Sequence, residues 1–255
     1  EKLDWFRSQE EIGAMPFVEL LPDAKDTWVE QAGDEFNALL PTIDPEARPG
    51  VEVNALFNLH TLGINTNRDE WLYDFSESDL VKRMRYFTTA YNDLVQRGDR
   101  SYPDIIKWSS SLKDHLLRGT KGQFSKEHVR GTMYRPFTRM YHYTEKLVNH
   151  RLTDNHYQMF GKGLDQPNPT ITFITGTARP FSVMAVRDPF DMNFVSPAAG
   201  GTHALPLYRY GADGMRHDNL TDWGLERFRI HYGNKKISKE QVFQYAYAVF
   251  HDPQY

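Results

Sequence analysis

Leu80, Met84, Phe87, Tyr91 and Leu94 recur at steps of four, three, four and three, the spacing of one buried helical face. Ser76 followed by Asp79 has capping-box-like spacing before this run, with Asp in place of the usual Glu, and Gly98 ends it. A helix from Ser76 to Gly98 is predicted, with Lys82, Arg83 and Arg85 largely off its apolar stripe. A second helix is expected after Pro103, with Asp104 at its cap, Ile105, Trp108, Leu112 and Leu116 on one face, and Lys107, Lys113 and Arg118 on the other. Two more close the chain. One runs from about Thr221 to Tyr232 and stops at Gly233; the other begins at Ser238, which is paired three residues on with Gln241.

Period-two or continuous apolar runs mark strands. "VEVNALFNLH", "WLYDF", "TITFITG", "FSVMAV", "MNFV" and "LPLYRY" have that character, and "GTARP" reads as the turn between "TITFITG" and "FSVMAV". "RGTKGQFSKEHVRG", with three Gly and four basic residues, reads as a loop or broken helix. Residues 1–50 are punctuated by five prolines and leave room for one helix, about Thr27 to Leu40. The economical class is α+β: helices with short antiparallel strands in one domain, residues 51–255, preceded by a connector, residues 1–50. The start "EKLDWFRSQEE", without an initiator Met or signal peptide, reads as that of an excised piece.

Charge changes this picture locally. The net charge is −4, yet Arg97 to Arg151 holds 12 basic and 5 acidic residues, whereas residues 1–50 hold 4 and 12. The basic block is where a polyanion would bind, or else it is a solvated helical surface. Cysteine is absent, which removes disulfides, thiolate nucleophiles and the commonest zinc sites and fits a reducing, cytoplasmic setting. No apolar run is long enough to cross a bilayer.

Motifs for catalysis are missing. There is no phosphate loop, G-x-S-x-G elbow or H-E-x-x-H, and the (N/D)-P-P-(Y/F) tetrapeptide of amino-methyltransferases is approached only by "NPT" at Asn168 and "DPF" at Asp188. His142, His150 and His156 lack metal-ligand spacing. What remains is an inventory of side chains that hydrogen-bond bases and phosphates.

Four stretches in order carry a resemblance. "GINTNRDEWLYDF" with its following helix to "YNDL", then "IKWSSSLKDHLLRG", "YRPFTRMYHY" and the tail "DNLTDWGLERFRIHYGNKKISKEQVFQYAYAVFHDPQY" resemble the C-terminal target-recognition part of Type ISP restriction-modification enzymes. Those polypeptides join a nuclease, an ATP-driven translocase, an adenine methyltransferase and a specificity domain. The resemblance implies a module without catalysis or cofactor of its own that holds double-stranded DNA for adjoining methyltransferase and helicase-like domains. S-adenosylmethionine, ATP and Mg would belong to the parent enzyme. It also implies that residues 1–50 lead out of the methyltransferase and that the C-terminus is truncated. An interdomain coupler contacting mainly protein is the alternative.

Within this frame the candidate DNA contacts can be named. Asn65, Thr66, Asn67 and Arg68 lie in a loop that is either a plain strand connector or projects toward DNA, with Trp71 and Tyr73 anchoring its base. Arg135 is as well suited to a structural ion pair as to a phosphate; Arg139 is the better contact, while Tyr134, Phe137 and Tyr141 are expected to bury. Arg179 would sit on the "TGTARPF" turn, and Lys162 lies between two glycines. Lys113, Arg118 and Lys121 are candidate phosphate contacts that set affinity without selecting sequence.

Overall fold

The computed structural model describes residues 39–44, 54–175, 180–195 and 200–252, with isolated positions 5, 8 and 22. The chain divides into two compact units, Glu1–Leu40 and Pro41–Tyr255. The expected helix from Thr27 falls outside the described residues except for its last two positions, and so does Arg179.

In the second unit the longest helix, α2 (Glu77–Arg97), follows the expected pattern. Ser76 accepts a hydrogen bond from the Asp79 N–H, the five apolar residues of the stripe are buried, and Gly98 closes the helix at φ 67°, donating to Leu94 and Val95 carbonyls. Glycine takes this left-handed position without a Cβ penalty. One turn of helix, α1 (Asp69–Leu72), precedes it and runs into the two-residue strand β2 (Tyr73–Asp74). "WLYDF" is therefore only partly extended.

The second helix, α3 (Ser110–Leu117), starts five residues later than expected. Ser109, not Asp104, caps it, accepting from Leu112 N–H, while the segment before it is held by the Trp108 indole donating to the Pro103 carbonyl at 2.9 Å. Ile105 is consequently exposed and Ile106 takes the core position. The "RGTKGQFSKEHVRG" stretch is a loop only at first. Its end enters β3 (Val129–Arg135), which pairs with β4 (Thr138–Tyr143) in a hairpin, and β4 pairs in turn with β2. Sequence pattern misses this hairpin because β3 is half-buried at nearly every position and shows no alternation. Together α2, α3 and this sheet enclose a core that includes Leu72, Phe87, Leu112, Leu116 and Tyr143.

The second sheet is four-stranded and antiparallel, in the order β1 (Thr61–Leu62), β7 (His203–Pro206), β5 (Thr170–Phe173), β6 (Val183–Val186). The expected β5–β6 hairpin is present, with Thr170 opposite Val186. "LPLYRY" divides at Leu207 between β7 and β8 (Tyr208–Tyr210), which pairs with β9 (Arg216–Asp218). "VEVNALFNLH" is not a strand over its described part. Phe57 there makes isolated bridges to Ile43 and Leu220, and pairing begins only at Thr61. "MNFV" is a turn region, preceded by bridges at Phe190 and Asp191.

A short helix, α4 (Asp154–Phe160), was not legible in the sequence; its capping box uses His156 where Glu or Gln is usual. The last helices, α5 (Asp222–His231) and α6 (Lys239–Val249), stand as expected, with Thr221 capping the first and the Ser238–Gln241 box opening the second. They cover the face formed by Phe57, Ile171, Leu205 and Leu207. Two buried asparagines tie loops to strands. Asn219 donates to Leu59 and Pro206 carbonyls and accepts from Leu59 N–H. Asn168, the start of "NPT", donates to Met159 and Tyr208 carbonyls. Its amide is consumed by the fold.

Candidate nucleic-acid interface

The loop after β1 is built on a close backbone approach. Ile64 N–H donates to Phe190 O and Met192 N–H to Ile64 O, so Gly63–Ile64 lies against the 190–192 segment. A Cβ on Gly63 would stand 2.5 Å from the Asp191 carbonyl oxygen. From there the chain turns sharply: Asn67 N–H donates to Asn65 Oδ1 at 3.1 Å and Asn67 adopts φ 53°, a region asparagine tolerates better than most residues.

The expectation that Thr66 and Arg68 project outward is corrected. Thr66 is buried, its hydroxyl bonded to Asp69 Oδ1. Arg68 is 0% exposed, with its guanidinium donating to Ser109 Oγ and lying over the Phe87 ring at 5.6 Å. Its Nε and Nη1 have no hydrogen-bond partner. Burial lowers this guanidinium to about 10, an effect opposed by Glu70, so it stays charged at neutral pH. Asn67 is the exposed member of the loop and Asn65 is half-buried.

Behind the loop lies an ionic cluster. Arg135 Nη1 donates to Asp191 Oδ1 at 2.6 Å and its Nη2 lies 3.7 Å from Asp69 Oδ2. Tyr134 donates to Asp69 at 3.1 Å and Tyr73 to Asp191 at 3.3 Å. Arg135 thus serves the structural alternative, joining β3 to the loop and to the 190–192 segment. Burial raises the Asp191 carboxyl to about 6, with the neighbouring Asp69 charge acting in the same direction. Tyr73 stacks on His142 with ring centres 4.4 Å apart. Arg83, off the apolar stripe of α2, is turned inward, pairing with Asp74 and donating to the Glu70 and Tyr73 carbonyls.

Other candidates keep their cations outward. Arg118, at the C-cap of α3, and Lys121 are exposed, and Lys113 is half-buried over the Tyr102 ring at 4.7 Å. Arg139 is 63% exposed in its side chain and pairs with Asp188 at 3.2 Å. Exposed Lys162 borders a cleft of about 300 Å³ lined also by Arg130, Lys146, Tyr157 and Glu145. The Gly163 carbonyl accepts from Arg130 Nε at 2.7 Å. Tyr134 is half-buried as expected, but Phe137 is 93% exposed at the tip of the β3–β4 hairpin and Tyr141 is also exposed. That aromatic tip is the feature sequence reasoning missed. Its available signal was Pro136 opening a two-residue turn.

The candidate histidines are each held by the fold. His142 bonds Asn149, His150 bonds Ser111 and His156 bonds Thr153, each engaged separately. Among the described residues no three His, Cys, Asp or Glu side chains converge as a metal site, and no helix is long and apolar enough to cross a membrane.

Residues 55–255 match the profile of the Type ISP C-terminal specificity domain. The chain belongs to this family. Its α+β fold recurs in larger solved structures. The specificity domain superposes on the DrdV–DNA complex, determined by cryo-electron microscopy, with a TM-score of 0.81 at 29% identity, over 99% of this chain and 25% of that one. A nuclease-deletion mutant of the Type ISP enzyme LlaGI, in complex with a DNA substrate mimic, gives 0.64 at 27% identity, over 87% and 22%. The ATP-dependent Type ISP restriction-modification enzyme LlaBIII bound to DNA, at 24% identity, shares the fold with a TM-score of 0.77, over 92% and 15%. The chain spans a quarter or less of the length of each. No curated protein matches it in sequence.

His142 gives the specificity domain a pH-dependent element. Burial lowers its imidazole to about 4 from 6.5, against the opposing effect of the hydrogen bond it donates to Asn149 Oδ1. A group that binds its proton less readily when folded contributes stability above its unfolded value, and that contribution is lost as pH falls from about 6.5 through about 4. Between pH 7 and pH 5 the wild-type domain should therefore lose about 2 kcal/mol more than His142→Phe. Denaturant unfolding of both at the two pH values measures it; equal losses would remove His142 from the account.

Proposed function

We propose that this specificity domain recognises a DNA sequence for a restriction-modification enzyme. It would present the site to an adjoining adenine methyltransferase and an ATP-dependent translocase/nuclease in the same cytoplasmic polypeptide. In this reading residues 1–50 connect to the methyltransferase, and S-adenosylmethionine, ATP and Mg serve the parent's other domains. The family match over residues 55–255 carries the reading. The exposed cations of the basic block add to it. Arg118 and Lys121 reach solvent on the loop after α3 and Arg139 on β4, positions from which phosphates are reached without disturbing the core. Asn67, Lys162 and Arg139 are the exposed candidates for reading or clamping, and Asn65 and Lys113 are half-buried ones; Arg179 is proposed on sequence grounds alone.

Titration of the chain against random duplex pools at two salt concentrations tests this. A selected sequence is the expected result, and equal retention of all sequences would favour a domain that contacts mainly protein. Once a site is known, Arg118→Ala and Lys121→Ala should each weaken cognate and scrambled duplexes alike. Each should also reduce the salt slope of log affinity by about one. A change of sequence preference in either variant would instead make that side chain a base reader.

A further inference from the structure

Phe137 stands free at the tip of the β3–β4 hairpin, 93% exposed and at φ 60°. Arg135 and Thr138 pair across the turn, so Pro136 and Phe137 are its two central residues. The proline ring fixes a negative φ at the first, and a positive φ follows at the second, a signature of the type II turn, which calls for Gly or Asn there. A bulky side chain in this region is strained, and at this exposure it gains no burial in return.

We propose that Phe137 is an aromatic wedge that enters the base stack of duplex DNA between neighbouring base pairs, with arginines on both sides of it along the hairpin. This rests on the DNA-recognition reading above. Residues 129–143 contain Arg130, Arg135 and Arg139 and no carboxylate of their own; Asp69 and Asp191 face Arg135 and Asp188 faces Arg139, so exposed Arg139 is the cation of the hairpin that can turn to a phosphate. Aromatic rings and arginine are enriched at protein interfaces too, so the assignment to stacked bases follows from the DNA-recognition reading and from the ring–base stacking that such a mount allows. The mount is rigid. Arg135 is clamped to Asp191 at 2.6 Å and lies over the Tyr134 ring at 3.9 Å, while Tyr134 is bonded to Asp69. Arg139 can exchange Asp188 for a phosphate as the tip enters. Apolar wedges unstack and kink the duplex, most cheaply at pyrimidine–purine steps, so the recognised site should contain such a step.

The test uses the 255-residue chain, its Phe137→Gly and Phe137→Trp variants, and the duplex that wild type selects from a random pool, with 2-aminopurine moved through the site. Phe137→Gly should keep or raise the unfolding midpoint, since glycine accepts the turn conformation. Its affinity should fall roughly 10-fold to 100-fold, the loss expected for one base–aromatic stack. Wild type and Phe137→Trp should brighten 2-aminopurine at one step, and Phe137→Gly should not. A selective wild type whose affinity and fluorescence response survive in Phe137→Gly overturns the wedge and leaves DNA recognition standing. A wild type that selects no sequence overturns both.

Discussion

Arg68→Ala is expected to cost about 4 kcal/mol of stability, whereas Arg68→Met should stay within about 1 kcal/mol of wild type or exceed it. The two substitutions separate what Arg68 fills from what its charge does. The side chain is 0% exposed among Phe87, Ser109 and the α1 turn, so truncation leaves a cavity in the core beside α2. Its charge is poorly compensated. One nitrogen is bonded to a neutral hydroxyl, two have no partner, and the nearby carboxylate of Glu70 is engaged by Lys107 at 3.0 Å. Removing such a charge while keeping an unbranched chain of similar volume relieves desolvation that its single hydrogen bond offsets only in part. Chemical denaturation measures all three proteins. If Arg68→Met were as unstable as Arg68→Ala, the guanidinium would be a net stabiliser. If Arg68→Met were stable but lost sequence selection, Arg68 must leave the core when DNA binds.

Gly63→Ala should be comparably severe, about 3 kcal/mol. The added methyl would meet three backbone atoms, Asp191 O at 2.5 Å, Asp191 C at 2.7 Å and Met192 Cα at 2.8 Å. No rotamer change relieves a clash with main chain, so the loop and the 190–192 segment must part, taking with them the Ile64–Phe190 and Met192–Ile64 hydrogen bonds. The Arg135–Asp191 clamp at the base of the Phe137 hairpin depends on the same register. Gly122→Ala is the control, because its new methyl would find Thr88 Cγ2 at an ordinary 3.5 Å and should change stability by less than about 0.5 kcal/mol. Equal stability of the two variants would show that the 190–192 segment yields freely.

Local signals in the sequence determined a good deal of this molecule. The α2 stripe from Leu80 to Leu94, the stops at Gly98 and Gly233, the Ser238–Gln241 cap and the β5–β6 hairpin follow from periodicity and from backbone groups satisfied within a few residues, and such interactions do not depend on the rest of the fold. The ordered stretches that pointed to Type ISP enzymes were also in the chain itself, and the family match agrees with them. Tertiary structure alone decided which polar residues face outward. Arg68 and Arg139 are both arginines near aromatic residues, yet one is sealed over Phe87 and the other stays in solvent because of partners 41 and 49 residues away, Ser109 and Asp188. It likewise exposed Phe137, because the ionic cluster of Asp69, Arg135 and Asp191 fixes the hairpin's base and leaves its tip no core to enter. A side chain's burial is set by what long-range pairing brings against it, and that information is spread over segments that no local pattern connects.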